Sequence, residues 1–352
     1  FVFANLSNSN LLDRTDLSNI NLAGTDLSKE SLKGKDLSNA NLSYVDLSEH
    51  DLTGTNLSNS ILLRTNLSGM DLRPTTLTNA DFRYAELSYS ILPDSLLVNH
   101  NFDYAILKNI NFAGKDLSGS LFHKVELDGS DMQNTNLSNA DFIQVDFTKI
   151  KNKSLAGSDL SYTSFAHSSL SDVNLSGVIL FGTIFLKADL SGQDLTVISN
   201  ASIQGSTFID ANMPNSNFEG VDLAPKQTFT TVFENKAHLK NLPHNLLVKN
   251  LLGEYPPMLI ISTEVSGNDL AVTYLFYNNF ALANLENANF KNSNLQLVGF
   301  DSANLTNADL SGADLRNAYL GNADLSNANL SGAIIDENTI LKCKNHPICL
   351  NG

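Results

Sequence analysis

One feature restricts this chain more than any other: a leucine recurs at every fifth residue. It is plainest over residues 15–58, where Leu17, Leu22, Leu27, Leu32, Leu37, Leu42, Leu47, Leu52 and Leu57 keep the beat. Asp or Asn usually precedes the Leu, and Ser or Thr usually follows it. A period of five matches neither the 3.6-residue period of an amphipathic helix nor the alternation of a strand. Sustained over hundreds of residues, a short fixed period is the mark of a solenoid. From Leu17 to Phe147 the beat is unbroken for about 27 repeats. It slips at 148–154, resumes over Leu155–Leu195, slips again at 196–202 and runs on to Leu223. After an interruption it returns from Phe280 to Ile335.

These Ala-(Asp/Asn)-Leu-x-x units resemble the pentapeptide-repeat family. The resemblance implies an all-β fold, a right-handed four-sided parallel β-helix in which four repeats make one coil. It also implies that the Leu and the small residue two before it point inward. The residues test the coil length separately, because outward positions should recur at intervals of twenty. Asn19, Asn39, Asn59, Asn79, Asn99 and Asn139 do so, with Gly119 as the one substitution. Stacked amides at strand spacing form hydrogen-bonded ladders, so this row is expected to be structural.

The interruption predicts a boundary set: repeats over 1–224, an inserted module over 225–278, repeats again over 279–340, and a Cys-bearing tail over 341–352. Leu239, Leu242, Leu246, Leu247 and Leu251 stand at helical spacing. Two apolar runs, MLIISTEV and LAVTYLFYN, flank a Ser-Gly-Asn-Asp turn and predict a β-hairpin. Leu270 and Leu275 also fit the five-residue beat, so the second hairpin strand is expected to run into the next coil.

Two outward rows stand out as candidate sites. Tyr44, Arg64, Tyr84 and Tyr104, with Gly24 and Lys124 at the ends, form an aromatic and cationic stripe, either a self-satisfied ladder or a contact surface for a partner or glycan. Asp26, Asp46, Glu86, Glu126 and Asp146 form an acidic row, either a solvated face or a weak candidate for binding a divalent cation such as Ca²⁺. In the inward slot, Glu30, Lys35, His50, Met70, His100 and Lys115 depart from the small residues expected there. An unpaired charge is not buried in such a core, so the long polar chains are expected to reach outward.

Cys343 and Cys349 bracket His346 near the end of the chain. A local disulfide, free thiols and a metal site are the open readings, and the first implies an oxidising compartment. The net charge of −15 disfavours direct nucleic-acid binding, and no apolar run is long enough for a transmembrane helix. No phosphate loop, nucleophile elbow or zinc-protease motif is present, so no catalytic residue and no cofactor are assigned. The chain begins at Phe1, already in register at Ala4-Asn5-Leu6, which reads as a mature chain after signal-peptide removal or as a trimmed one. The expected function is a non-catalytic structural or interaction protein, secreted or at the cell surface. Its partner would be another protein or another copy of itself, joined through coil ends or the inserted module. The family resemblance adds a DNA-mimicking inhibitor or modulator of a type II topoisomerase as an alternative, and an intracellular (cytoplasmic) scaffold or secreted effector docking through the module is a third.

Overall fold

The structure, a computed structural model, describes residues 13–94, 97–199, 203–225, 228–233, 258–266 and 269–349. The chain forms two compact units, Phe1–Val178 and Ile179–Gly352.

Within the first unit, parallel bridges join residues twenty apart in four separate columns. Asp16↔Asp36, Asn21↔Asn41, Asp46↔Asn66 and Asp71↔Ile91 represent the four sides. The second unit repeats the pattern, as in Asn279↔Gly299, Asn284↔Asn304, Asn289↔Asp309 and Asn294↔Asp314. Each unit is therefore a four-sided parallel β-helix with one two-residue contact per side.

The five-residue motif follows from what each corner demands. The Leu carbonyl accepts the N–H three residues on, as in Ala40 to Leu37 at 3.1 Å and Ser60 to Leu57 at 3.1 Å. The second residue after the Leu then takes positive φ: Asn39 +56°, Asn59 +56°, Asn79 +56°. A turn with positive φ only at its third position is type II, which favours Gly and Asn there. The Asn row is thus a set of left-handed corners as well as a ladder. Asn79 donates to Asn59 at 3.2 Å, and in the second unit Asn307 donates to Asn287 at 3.1 Å. At the substituted rung, a Cβ on Gly119 would lie 2.1 Å from Asn99 Oδ1, so the glycine admits the amide of the neighbouring coil.

The Asp or Asn before each Leu braces the same corner. Its Oδ1 accepts the backbone N–H two residues on, as from Ser18 to Asp16 (3.0 Å) and from Ser48 to Asp46 (3.0 Å). An Asn one coil away often donates to the same oxygen, as Asn56 does to Asp36 at 3.1 Å. Inward Ser and Thr hydroxyls donate to a Leu carbonyl of the adjacent coil, as Thr65 does to Leu42 at 2.9 Å. Many inward hydroxyls are in this way paired coil by coil, Ser60 and Ser90 being exceptions.

Inward Leu residues such as Leu22, Leu37, Leu57 and Leu305 are fully buried, but Phe columns also organise the core. Phe82, Phe102, Phe122, Phe142 and Phe165 stack successively at 6.0, 5.3, 4.6 and 5.6 Å in the first unit. In the second, Phe185, Phe208, Phe280 and Phe300 stack at 5.1, 4.6 and 5.4 Å. Ring stacking of this kind adds about 0.5–1.5 kcal/mol per pair beyond burial.

The sequence slips lengthen single coils and leave pairing intact. Phe147–Lys149 and Lys151–Lys153 are 3-10 turns, and the bridges across them join residues such as Asn136 and Asp159. The unusual inward residues are accommodated individually. Met70 is buried, His50 Nε2 lies 3.0 Å from Leu27 O, and Lys35 Nζ donates to Arg14 O at 2.9 Å. Lys115 reaches out to pair with Asp94.

Among its described residues the inserted module has three strands. β1 (Thr228–Phe233), β2 (Met258–Ser266) and β3 (Asp269–Phe276) form an antiparallel sheet ordered β1-β3-β2. The expected hairpin is β2–β3, with a bulge between Ile260 and Ser262. Two expectations are corrected. β1 was not foreseen, although its TFTTVF sequence is rich in β-branched and aromatic residues. Leu270 and Leu275 belong to β3, whose antiparallel pairing with both neighbours excludes them from a parallel coil. The helix expected around Leu239–Leu251 lies outside the described residues.

The coil then resumes in register. Thr207, Asn212, Asn217 and Asp222 pair with Asn279, Asn284, Asn289 and Asn294. Phe280, the first Phe after the module, stacks on Phe208 at 4.6 Å. Asn278 closes the splice. It is fully buried, accepts from Ser206 N at 3.0 Å and donates to Leu223 O at 2.8 Å. Removing a buried amide that satisfies two backbone groups costs about 2–3 kcal/mol. Asn278→Ala is therefore expected to lower the urea-unfolding free energy of the second unit by that amount, whereas Asn287→Gly on the surface row, which keeps a residue suited to the φ of +58° there, should cost under about 1 kcal/mol. Equal losses would show that the splice does not depend on Asn278.

Candidate functional site

The aromatic and cationic stripe is a real column in space. Gly24, Tyr44, Arg64, Tyr84, Tyr104 and Lys124 each donate a backbone N–H to the residue preceding the next member, as Tyr84 does to Asp103 O at 2.9 Å. Arg64 lies between two rings, its Cζ 5.7 Å from Tyr44 and 5.2 Å from Tyr84. Tyr84 and Tyr104 stack at 4.5 Å with planes 5° apart, and Lys124 Nζ sits 5.6 Å from the Tyr104 centroid. The three Tyr rings remain 38–51% exposed, so the column presents faces and edges to solvent.

Each member occupies the left-handed corner, with φ of +63° at Tyr44, +56° at Arg64, +61° at Tyr84, +62° at Tyr104 and +54° at Lys124. Side chains other than Asn and Gly pay roughly 1–2 kcal/mol for that conformation. Cation–π contacts at exposed sites return about 0.5–1 kcal/mol each, and the ring stack a similar amount. With three cation–π contacts and one ring stack set against five strained corners, the column recovers only part of its own backbone strain and adds no net stability. Among the described ion pairs none involves Arg64 or Lys124, so both positive charges are uncompensated by a carboxylate there.

The flanks are set by their own ion pairs. Arg83 makes a bidentate contact with Asp81, and His123 bridges Asp103 (3.2 Å) and Asp141 (3.0 Å). Lys108 contacts Glu126 at 2.5 Å and Asp128 at 3.3 Å.

The acidic row is placed differently from its Ca²⁺ reading. Asp46, Asn66, Glu86, Ile106 and Glu126 do form one column, but Asn66 and Ile106 separate the carboxylates. The carboxylates also have other work. Asp26 and Asp46 accept from Ser28 and Ser48, Glu86 from Ser88, Glu126 from Lys108, and Asp146 from Thr148. Asp26, Glu30, Asp46, Glu49 and Asp51 border an open polar concavity of about 490 Å³ beside His50. Even so, no group of three His, Cys, Asp or Glu among the described residues is arranged to hold a metal ion. His50 and His100 each bond a backbone carbonyl, of Leu27 and Val98 respectively.

Cys343 and Cys349 are bonded to each other, with Cα atoms 5.0 Å apart. The tail they close pairs with the last coils: Tyr319 bridges Ile340, and Asp324 bridges Lys344. Among the described residues no helix is long and apolar enough to cross a membrane.

Coils of four bridged sides, a repeating Asp/Asn-braced corner and a Leu/Phe interior define an all-β repeat solenoid. The family model for pentapeptide repeats matches residues 21–59, 60–99, 110–149, 155–196, 279–317 and 303–337, more than half of the chain, and the chain belongs to that family. Similar solved structures include HetL, a pentapeptide repeat protein involved in heterocyst differentiation regulation from Nostoc sp. Strain PCC 7120. It is 18% identical over 94% of this chain and 91% of its own, with a TM-score of 0.17. Full-length QnrB1, a plasmid-mediated fluoroquinolone resistance protein, is 16% identical over 66% of this chain and 94% of its own, with a TM-score of 0.18. A thylakoid-lumen pentapeptide repeat protein from Arabidopsis thaliana is 22% identical over 35% of this chain and 68% of its own, with a TM-score of 0.10. No curated protein matches the sequence.

Two measurements check the electrostatics and the column. Hydrogen bonds from Ser48, first through its hydroxyl and then its backbone, hold the Asp46 carboxyl below its usual value, and Ser311 does the same for Asp309. Arg73 holds Asp71 at about 2. Folded-state values below the unfolded ones give stability that is complete above the unfolded carboxylate pKa of about 4 and is lost as pH falls through the folded values. The thermal midpoint should therefore stay level from about pH 7 to 5 and drop below about pH 4. At the column, Tyr84→Ala should cost about 1–2 kcal/mol, while Tyr84→Asn should be within about 0.5 kcal/mol of neutral because Asn tolerates the corner. Equal losses for Ala and Asn in chemical denaturation would mean that backbone strain has no share in the position.

Proposed function

We propose that this chain is a non-catalytic interaction protein, secreted or held at the cell surface, which acts as a spacer or assembly unit and meets a protein partner through the Tyr44–Lys124 column. One observation carries this reading. The corner positions of that column hold Tyr, Arg and Lys at positive φ, where Asn or Gly would cost less, and the exposed stack returns no more than the strain it takes up. Tyr and Arg are the side chains most often found at the energetic centres of protein interfaces. The Cys343–Cys349 bond supports an oxidising compartment and so an extracellular location. The net charge of −15 supports a partner other than nucleic acid.

The alternative, a DNA-mimicking modulator of a type II topoisomerase, draws its support from family membership and from the acidic row. The two readings require different surfaces. In the first the column is the contact and the acidic row is solvated; in the second the acidic row is the contact. Fractionation of the source cells and a gyrase supercoiling assay with purified protein separate them. The first reading expects surface-associated protein and no effect on supercoiling. Inhibition at micromolar protein, lost on neutralising Asp26, Asp46, Glu86 and Glu126, would overturn it in favour of the second.

A further inference from the structure

Glycine has one use almost everywhere in this chain: it supplies positive φ at a corner. Among the described residues only Gly299 and Gly321 lack positive φ. The backbone does not ask for glycine at either place, so the reason lies in the space each leaves.

The Tyr319 ring occupies the space at Gly321, and the Tyr277 ring lies at contact distance from the space at Gly299. A Cβ on Gly299 would come 3.5 Å from Cε2 of Tyr277 and 3.2 Å from Asn279 Oδ1. A Cβ on Gly321 would collide with the Tyr319 ring at 2.6–2.8 Å, so that ring lies flat over the glycine backbone. Asn279, Gly299 and Tyr319 are successive rungs of one bridged column. Two tyrosines are thus seated on either side of a rung that has no side chain.

The result is an open concavity of about 320 Å³ in the second unit, bordered by Tyr277, Tyr319, Leu297, Gly299, Asn279 and Asp301. That volume is at the small end of ligand sites. Leu297 stands at a corner with φ +62°, where its branched side chain is costly, and it contributes an apolar wall. Tyr319 is 46% exposed. Burial pushes the Tyr277 phenol up, so its ring is uncharged at neutral pH. Among the described ion pairs none involves Asp301. Tyr277 follows β3 directly and precedes the buried splice residue Asn278, so one wall is fixed by the re-entry of the coil.

Two tyrosine rings, an apolar side chain and a carboxylate without an ion pair among the described residues form a set with a recognisable partner chemistry. Aromatic faces attract organic cations, and they do so most strongly when the cation carries its charge on alkylated nitrogen. An anion is repelled by Asp301 and by the net charge of −15. We propose that this concavity is a binding site for a small organic cation, an alkylammonium or quaternary ammonium head group. Tyr277 and Tyr319 supply the π faces, Leu297 packs the alkyl carbons and Asp301 supplies the counter-charge.

The site belongs to the second unit and the Tyr44–Lys124 column to the first, and the proposal does not rest on the function proposed above. Choline serves as the probe, and 3,3-dimethylbutan-1-ol, its uncharged isostere, as the control. Calorimetric titration of the full chain is expected to give a Kd for choline of about 1 mM or tighter, with the isostere at least about tenfold weaker. Asp301→Asn should weaken choline by about tenfold and Tyr319→Ala by about fivefold or more. Tyr44→Ala, in the other unit, should leave binding unchanged. Gly299→Val should abolish it by filling the floor, and the surface substitution at Asp301 keeps the test decisive if that variant fails to fold. Binding also to phosphatidylcholine vesicles, displaced by choline, would identify a lipid head group as the source of the cation; soluble choline alone would identify a free solute. Equal affinity for choline and its isostere, affinity unaltered by both Asp301→Asn and Tyr319→Ala, or no binding up to about 50 mM would overturn the proposal.

Discussion

The left-handed corner is the constraint on which this structure depends. A backbone that turns every five residues takes positive φ at most of its corners, Lys29, Glu49 and Pro74 being corners that close without it. That requirement puts Asn or Gly two residues after the Leu and braces the turn with Asp or Asn before it. It also makes the side walls flat and polar, because the outward positions are claimed by short side chains that serve the corner. A pentapeptide is therefore less a hydrophobic pattern than a turn rule with a Leu attached. Stability accrues coil by coil, each unit behaving as a nearly one-dimensional stack with local interfaces.

Much of this was legible in the sequence, for a physical reason. Parallel stacking at constant coil length forces every environment to recur at the same interval, so a column in space becomes an interval of twenty in the chain. Asn59 over Asn79 and Tyr84 over Tyr104 could be read in that way. What could not be read is what each side chain does within its column. The carboxylate of Asp46 looked available for a cation, but the backbone N–H of Ser48 and the amide of Asn66 already occupy it. The Asn row was taken for an amide ladder, and its backbone role at the corner was missed. Gly299 and Gly321 carried a faint signal, since neither stands two residues after the inward Leu or Phe of its repeat, but their purpose depends on rings whose positions no interval reveals. β1 was overlooked because six residues among polar neighbours make a weak strand pattern by themselves.

The inserted module shows how a repeat fold tolerates a large interruption. Loop closure becomes only slowly more expensive with length, so the cost of inserting many residues is dominated by the junction. Here the junction is secured twice. Phe280 resumes the ring stack on Phe208, and Asn278 replaces backbone pairing that the departing chain leaves unfulfilled at Ser206 and Leu223. The other three sides of the same coil, at Asn212, Asn217 and Asp222, also pair across the gap, so register is over-determined. An apolar residue at 278 would fit the small interior slot no better and would orphan both backbone groups.

In a fold so uniform, departures from the rule locate whatever is not structural. The first unit breaks the corner rule by placing Tyr, Arg and Lys at positive φ. The second breaks it in the opposite sense, using glycine where φ does not require it and Leu297 where φ disfavours it. Either kind of departure costs stability locally without improving the core, since Leu and Phe fill the interior equally well beneath an Asn corner. The first makes a raised, cationic and aromatic edge; the second makes a recess with aromatic walls and a carboxylate. Their chemistries are complementary in sign, and one acidic chain thereby carries a surface suited to acidic or aromatic groups of a macromolecule and a recess suited to a small cation. Because coupling between coils is short-ranged, a change at Gly299 perturbs the rungs at Asn279 and Tyr319 and leaves distant corners of its unit as they were.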